Sequence, residues 1–134
     1  MAPCAALAGF DEAVAAHDKK DYATALREFK KLATAGDPNA QFNVGLMYAN
    51  GQGTAQNIKE ALKWYHLAAN QNDISAQINL GIMYATGQGV ELDYKEAAKW
   101  YRMAADQGVA SAQFHMGVMH ATGQGVPQNY EEAI

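Results

Sequence analysis

Four histidines, two serines and one cysteine are the side chains from which catalytic or metal chemistry would ordinarily be assembled in this chain. His115 and His120 are five residues apart, about 140° round a helix, which misses the i, i+4 spacing of a helical zinc pair. His120 stands where Tyr48 and Tyr84 stand in the repeating pattern described below, and reads as core or half-core. His66 holds the position of Arg102 and reads as surface; the fourth histidine is His17. Ser75 and Ser111 occupy equivalent places at helix starts, where capping accounts for them. Cys4, alone, makes neither a disulfide framework nor a Cys-rich metal set. No nucleophile, acid–base pair or convergent donor set emerges. The sequence therefore reads as non-catalytic, with no cofactor and no metal.

Two further patterns invite a chemical reading. Gly51-Gln52-Gly53 recurs as Gly87-Gln88-Gly89 and Gly123-Gln124-Gly125. A phosphate cradle needs glycines leading from a strand into a helix N-terminus. Here they follow a helix and no strand candidate is near, so they read as helix-ending turns. Trp64-Tyr65 and Trp100-Tyr101 could suggest an aromatic cage. Neighbours on a helix point about 100° apart, so each pair reads instead as core, one ring facing its own helix pair and the other a neighbouring layer.

What must position all of these is a repeat. Ala40-Gln41-Phe42-Asn43-Val44-Gly45-Leu46-Met47-Tyr48 returns from Ala76 and again from Ala112, a step of 36 residues each time. A fixed period of this size marks a solenoid, in which each unit buries its apolar surface against its neighbours. Such an array favours a surface for holding a partner over a catalytic pocket. Each unit reads as two helices. In the first, Ala40, Val44, Met47 and Tyr48 share one apolar face, and Phe42, Leu46 and Ala49 form a second stripe. Gly45, Gly81 and Gly117 sit mid-helix at a cost of about 1 kcal/mol each, which implies close approach of the paired helix near Ala61 or Ala97. The second helix opens with Asn57-x-x-Glu60, Asp93-x-x-Glu96 and Asn129-x-x-Glu132, capping-box arrangements.

These signals predict an all-α protein with helices near residues 8–18, 21–35, 38–50, 58–71, 74–86, 94–107 and 110–122. Residues 9–36 read as a shortened N-terminal unit with a polar end, residues 37–72 and 73–108 as full repeats, and residues 109–134 as an incomplete one. The pattern stops at Ile134 where a second helix should continue, so the chain reads as a fragment of a longer array. On that basis Met116, Val118 and Met119 are expected to lie uncovered, and the C-terminal end to favour self-association. Residues 1–8 end in Ala6-Leu7-Ala8, the pattern that precedes a signal-peptide cleavage site, without a basic n-region or a full apolar run. Export is the reading this favours, giving a periplasmic or secreted location; an ordinary helix start in a cytoplasmic protein is the alternative.

With 49% hydrophobic and 18% charged residues the composition is that of a folded globular protein. The net charge of −4 is spread thinly, with five basic and six acidic side chains in residues 1–39 and three and four in residues 76–111. No basic patch is present to neutralise phosphates, so a nucleic-acid partner is not expected. No apolar run reaches the roughly 18 residues of a membrane-spanning helix.

The combination Ala-Gln-x-Asn-x-Gly-x-Met-Tyr-Ala-x-Gly-Gln-Gly followed by Glu-Ala-x-Lys-Trp-Tyr-x-x-Ala-Ala resembles the Sel-one-like repeat (SLR) family, 36-residue relatives of tetratricopeptide repeats (TPR). The resemblance covers residues 37–134, while residues 9–36 are closer to a plain tetratricopeptide unit. It implies a right-handed α/α superhelix of antiparallel helix pairs and a role as a bacterial adaptor that holds a protein or peptide, often exported. A cysteine-rich subgroup is linked to β-lactam binding, so a weak β-lactam-binding or hydrolase protein is the alternative; this chain lacks the paired cysteines of that subgroup. The resemblance also implies a concave site lined by first helices, with Asn43, Asn79 and His115 at the position of the groove asparagine. Phe42, Ile78 and Phe114 precede them, and Leu46, Ile82 and Val118 lie one turn on. Side-chain amides can bond an extended backbone while apolar stripes supply pockets. Equally, the stripes could be buried by packing and the amides bond their own helix.

Overall fold

The structure, a computed structural model, describes the backbone of residues 2–126 and the side chains of residues 9–126. The cap expected at Asn129-x-x-Glu132 and the start of a further helix lie outside the described residues. Seven helices follow one another, α1 (Ala2–Asp18), α2 (Tyr22–Thr34), α3 (Pro38–Asn50), α4 (Ile58–Ala69), α5 (Ile74–Thr86), α6 (Tyr94–Asp106) and α7 (Ala110–Thr122). No strand occurs among the described residues. Each helix coincides with one expected from the sequence to within two residues at either end, except that α1 begins at Ala2 and not near residue 8.

The chain forms two compact units, Met1–Asp73 and Ile74–Ile134. In the first, α2 packs on α1, α3 on α2 and α4 on α3. Its core joins Ala13, Leu26, Phe29, Val44, Met47 and Trp64, with Phe10 edge-on to Phe29 at 5.5 Å. In the second unit, α6 packs on both α5 and α7. Ala97, Ala98 and Tyr101 of α6 meet Met116 and Met119 of α7 there. The two methionines expected to lie uncovered are therefore buried, because their face of α7 is turned to α6.

Two of the mid-helix glycines, Gly45 and Gly81, are explained by one ring each. A Cβ on Gly45 would stand 2.6 Å from Tyr65 Cε1 and 3.3 Å from the Ala61 carbonyl oxygen, and one on Gly81 would stand 2.7 Å from Tyr101 Cε1. The expected approach at Ala61 is present, but the tyrosine next to each tryptophan makes the tighter contact. Tyr65 thus faces its own helix pair, while Trp64 belongs to the cluster that also holds Phe29 of α2. The two directions expected of adjacent aromatics are both used.

The Gly-Gln-Gly turns end helices as expected. Gly51 caps α3 at φ 67° and donates to the Met47 carbonyl, and Gly123 repeats this on α7 at φ 72° with Met119. The second glycine has a further reason that the sequence did not disclose. A side chain on Gly53 would collide with the Tyr22 carbonyl at the start of α2, and one on Gly125 with the Tyr94 carbonyl at the start of α6. Each of these two turns is pressed against the opening of the preceding second helix, where only a bare backbone fits.

Two capping expectations are corrected. Asn57 and Asp93 do cap α4 and α6, accepting from Glu60 N–H at 3.1 Å and from Lys95 and Glu96 N–H at 3.0 and 3.1 Å. The return half of the capping box is missing, because the Asn57 N–H already donates to the Tyr48 carbonyl at 2.8 Å and the Asp93 N–H to Tyr84 at 2.9 Å. One carboxylate oxygen each of Glu60 and Glu96 is consequently buried with no hydrogen-bond partner among the described residues. Ser111 caps nothing: the N-cap of α7 is Val109, which offers no side-chain bond, and Ser111 lies inside the helix. Ser75 is likewise inside α5.

Candidate functional site

The positions singled out in the sequence lie on α3 in the first unit and on α5 and α7 in the second. Within each helix the apolar pair is spaced i, i+4, so Phe42 with Leu46, Ile78 with Ile82 and Phe114 with Val118 share one face. Exposure along this stripe is uneven. Phe42, Leu46 and Ile78 are half-buried, whereas Ile82, Val118 and Phe114 are 37%, 41% and 68% exposed. Phe42 is half-covered because Tyr65, held over Gly45, brings its ring to 5.7 Å from the Phe42 ring.

The amide row is not uniform either. Asn43 Nδ2 donates to the Asn39 carbonyl of its own helix at 2.8 Å, the local bond that competes with ligand binding. Asn79 is half-buried, and its amide has no hydrogen-bond partner among the described residues. His115, at the same phase, stacks on the buried Tyr101 ring at 4.6 Å and 17°, with Phe114 edge-on at 5.9 Å. Tyr101 is therefore fixed twice within this unit, over Gly81 of α5 and against His115 of α7. Burial pushes its phenol above the ordinary 10.0.

The remaining histidines do not assemble with these. His17 pairs with Gln52 Oε1 at 3.4 Å and meets Tyr22 edge-on. His66 is half-buried, more covered than its surface reading implied. His120 is half-buried as expected, its Nδ1 without a hydrogen-bond partner among the described residues. No group of His, Cys, Asp and Glu among the described residues could hold a metal ion, and none of their helices is long and apolar enough to cross a membrane.

Sequence reasoning missed two arrangements. Gln41 and Gln77, only 5% and 0% exposed, are the buried polar side chains of their helices. Gln41 Nε2 donates to the Ala33 carbonyl at the end of α2, and its Oε1 accepts from Gln71 Nε2 at 2.9 Å. Gln107 and Gln77 repeat the second bond, and Gln113 repeats the first with Ala105. The recurrence of Gln71 at Gln107, one period apart, was the available signal. The second arrangement joins Lys30 of α2 to Tyr48 of α3, Nζ donating to the hydroxyl at 3.0 Å with the ammonium 5.5 Å from the ring centroid. That bond, with Glu60 nearby, holds the Lys30 ammonium above its ordinary 10.5.

The geometry now stands beside known proteins. The Sel1 repeat profile matches residues 38–73, 74–109 and 110–134. A protective antigen present in uropathogenic Escherichia coli strains, displaying an SLR fold, superposes with a TM-score of 0.92 at 32% identity over 96% of this chain. A Sel1 repeat protein from Oxalobacter formigenes superposes with a TM-score of 0.75 at 42% identity over 83% of it. The chain spans 28% of the first of those structures and 45% of the second. No curated protein matches the chain.

Proposed function

Because the chain belongs to the Sel1 repeat family, a fold that commonly mediates protein–protein interaction, we propose that it is a non-catalytic scaffold whose first helices hold a protein or peptide segment. One observation carries this reading. Ile82 stays 37% exposed although α6, the second helix of its own repeat, is packed on α5. The apolar stripe is thus not consumed by the packing of the repeat. Beside it Ile78 is half-exposed and Asn79 offers an unpartnered amide, the pairing of apolar pocket and backbone-bonding group that peptide grooves use. On α7, Phe114 and Val118 present the same stripe more openly.

A photo-crosslinking side chain at position 82, compared with one at position 99 on the charged face of α6, tests the reading in cells that make the chain. One defined protein should crosslink from position 82 and not from position 99. Equal or absent crosslinking from both would remove the first-helix face from consideration. We also propose export to the periplasm or beyond, for which Ala6-Leu7-Ala8 and the likeness to a protective antigen speak; fractionation of producing cells tests it.

A further inference from the structure

We infer, resting on the scaffold reading above, that the partner segment held by the first helices is uncharged: an apolar stretch with amide or hydroxyl side chains and no Asp, Glu, Lys or Arg where it touches the helices. The first helices of the three Sel1 repeats, α3, α5 and α7, contain no Asp, Glu, Lys or Arg at any of their positions, unlike α1 with Asp11, Glu12 and Asp18. The second helices carry the charge instead. Arg27, Lys30 and Lys31 lie on α2, Lys59 and Lys63 on α4, and Lys95, Lys99 and Arg102 on α6, each helix with one glutamate. The ammonium that reaches a first helix, Lys30, lands on the Tyr48 hydroxyl, about 120° round α3 from Phe42.

A segment lying along Ile78, Asn79 and Ile82, or along Phe114 and Val118, therefore meets apolar surface and one amide but no charged side chain of these helices. A charged side chain buried there would lose its water without gaining a counter-ion, which disfavours binding by about tenfold or more per charge. Attraction to such a face has no ion pair to be screened, so salt leaves it nearly unchanged. The chemistry excludes the acidic tails that a lysine-lined groove would select.

The test selects a displayed random peptide library against the whole purified chain, with Ile82→Asp as counter-selection. The expected peptides lack Asp, Glu, Lys and Arg in their shared core, lose at least tenfold in affinity to I82D, and change affinity by less than about twofold between about 50 mM and about 500 mM salt. Ile82 is solvent-exposed, so I82D is expected to fold; should its melting fall, Ile82→Gln with an unchanged helical spectrum takes its place. Enriched peptides with a charged core, or an affinity that collapses with salt, would overturn this inference and leave the scaffold reading standing. No enrichment, or enrichment indifferent to position 82, would overturn both.

Discussion

Gln71 Nε2 donates to Gln41 Oε1 at 2.9 Å across 30 residues of sequence, and Gln41 passes the chain of bonds on to the Ala33 carbonyl. Three successive helical segments are tied by two amides: the end of α2, the start of α3, and the residues that follow α4. The Ala33 carbonyl, among the last acceptors of α2, is shared between the Gly36 N–H at 3.0 Å and a side chain of the next helix. Gln41→Ala should cost about 1–3 kcal/mol, because it removes two hydrogen bonds of a buried side chain, whereas Gln71→Ala should cost about 0.5–1.5 kcal/mol, since the exposed partner can be replaced by water. Urea unfolding of the single and double variants should show positive coupling between the two sites. Additive effects would mean that the relay is incidental.

The glycine under each tyrosine sets up a contest between helix propensity and space. Gly45→Ala should gain about 1 kcal/mol in propensity, yet its Cβ would enter the Tyr65 ring. Displacing the buried Tyr65 ring costs about 1–3 kcal/mol, so the net change is destabilising. In a Tyr65→Leu background the same glycine substitution should become neutral or favourable. Stabilisation by Gly45→Ala in the natural background would refute the contact.

Replacing the groove positions separates amides from ring. Asn43→Ala and Asn79→Ala should each leave stability within about 0.5 kcal/mol, as expected for partly exposed sites outside the core. His115→Ala removes the stack on Tyr101 and should cost about 0.5–1.5 kcal/mol. Partner capture should fall with Asn79→Ala more than with Asn43→Ala, whose Nδ2 is engaged by Asn39. Thermal melts of the three variants, paired with crosslinking yield, decide it; a large loss of stability from Asn79→Ala would make that residue structural.

The titratable groups agree in sign at alkaline pH. Burial raises the Tyr101 phenol above 10.0, burial and then Glu96 and Asp93 raise that of Tyr84, and the Tyr48 hydroxyl raises the Lys30 ammonium above 10.5. In each case the folded chain keeps a proton that the unfolded chain releases first. Stability from these groups is therefore complete below about pH 10 and is lost as pH rises through their folded values. Lys30 is exposed and contributes least, since solvent screens it. Denaturant midpoints should fall beyond pH 10, and Tyr101→Phe should make that fall shallower. An unchanged slope in Tyr101→Phe would mean that the buried phenol does not govern the alkaline limb.

How much of this was legible in the sequence depends on what each feature answers to. The helices were legible because periodicity, caps and glycines repeat in phase, so each boundary was stated more than once. The Tyr65 contact was half-legible: Gly45 announced a close approach, but which side chain filled it depends on a ring direction that spacing alone does not give. The reciprocal capping boxes failed because the Tyr48 and Tyr84 carbonyls of the preceding helices already accept from the Asn57 and Asp93 amides, a bond set by the path of the intervening loop. At the site, position and phase were legible, since the pattern placed Asn43, Asn79 and His115 at equivalent points. Exposure was not, because Phe42 and Phe114 share a register yet, among the described residues, Phe42 has a tyrosine ring from its own repeat beside it and Phe114 has none.

That difference at Phe114 carries the last prediction. Met116 and Met119 are buried against α6, so the apolar surface left on α7 is the face of Phe114 and Val118. Exposed apolar groups at i, i+4 on a helix with no charged neighbour to repel a second copy favour association through that helix. The chain should therefore sediment partly as a dimer at micromolar concentration, with a fraction that rises with concentration and is indifferent to salt. Phe114→Ser together with Val118→Ser should restore the monomer and lower apolar-dye binding without lowering the melting temperature by more than a few degrees, since neither side chain is in the core. A chain that is cleanly monomeric and binds no dye would show that this face is closed in solution. A dimer that survives the double substitution would place the contact elsewhere on the molecule.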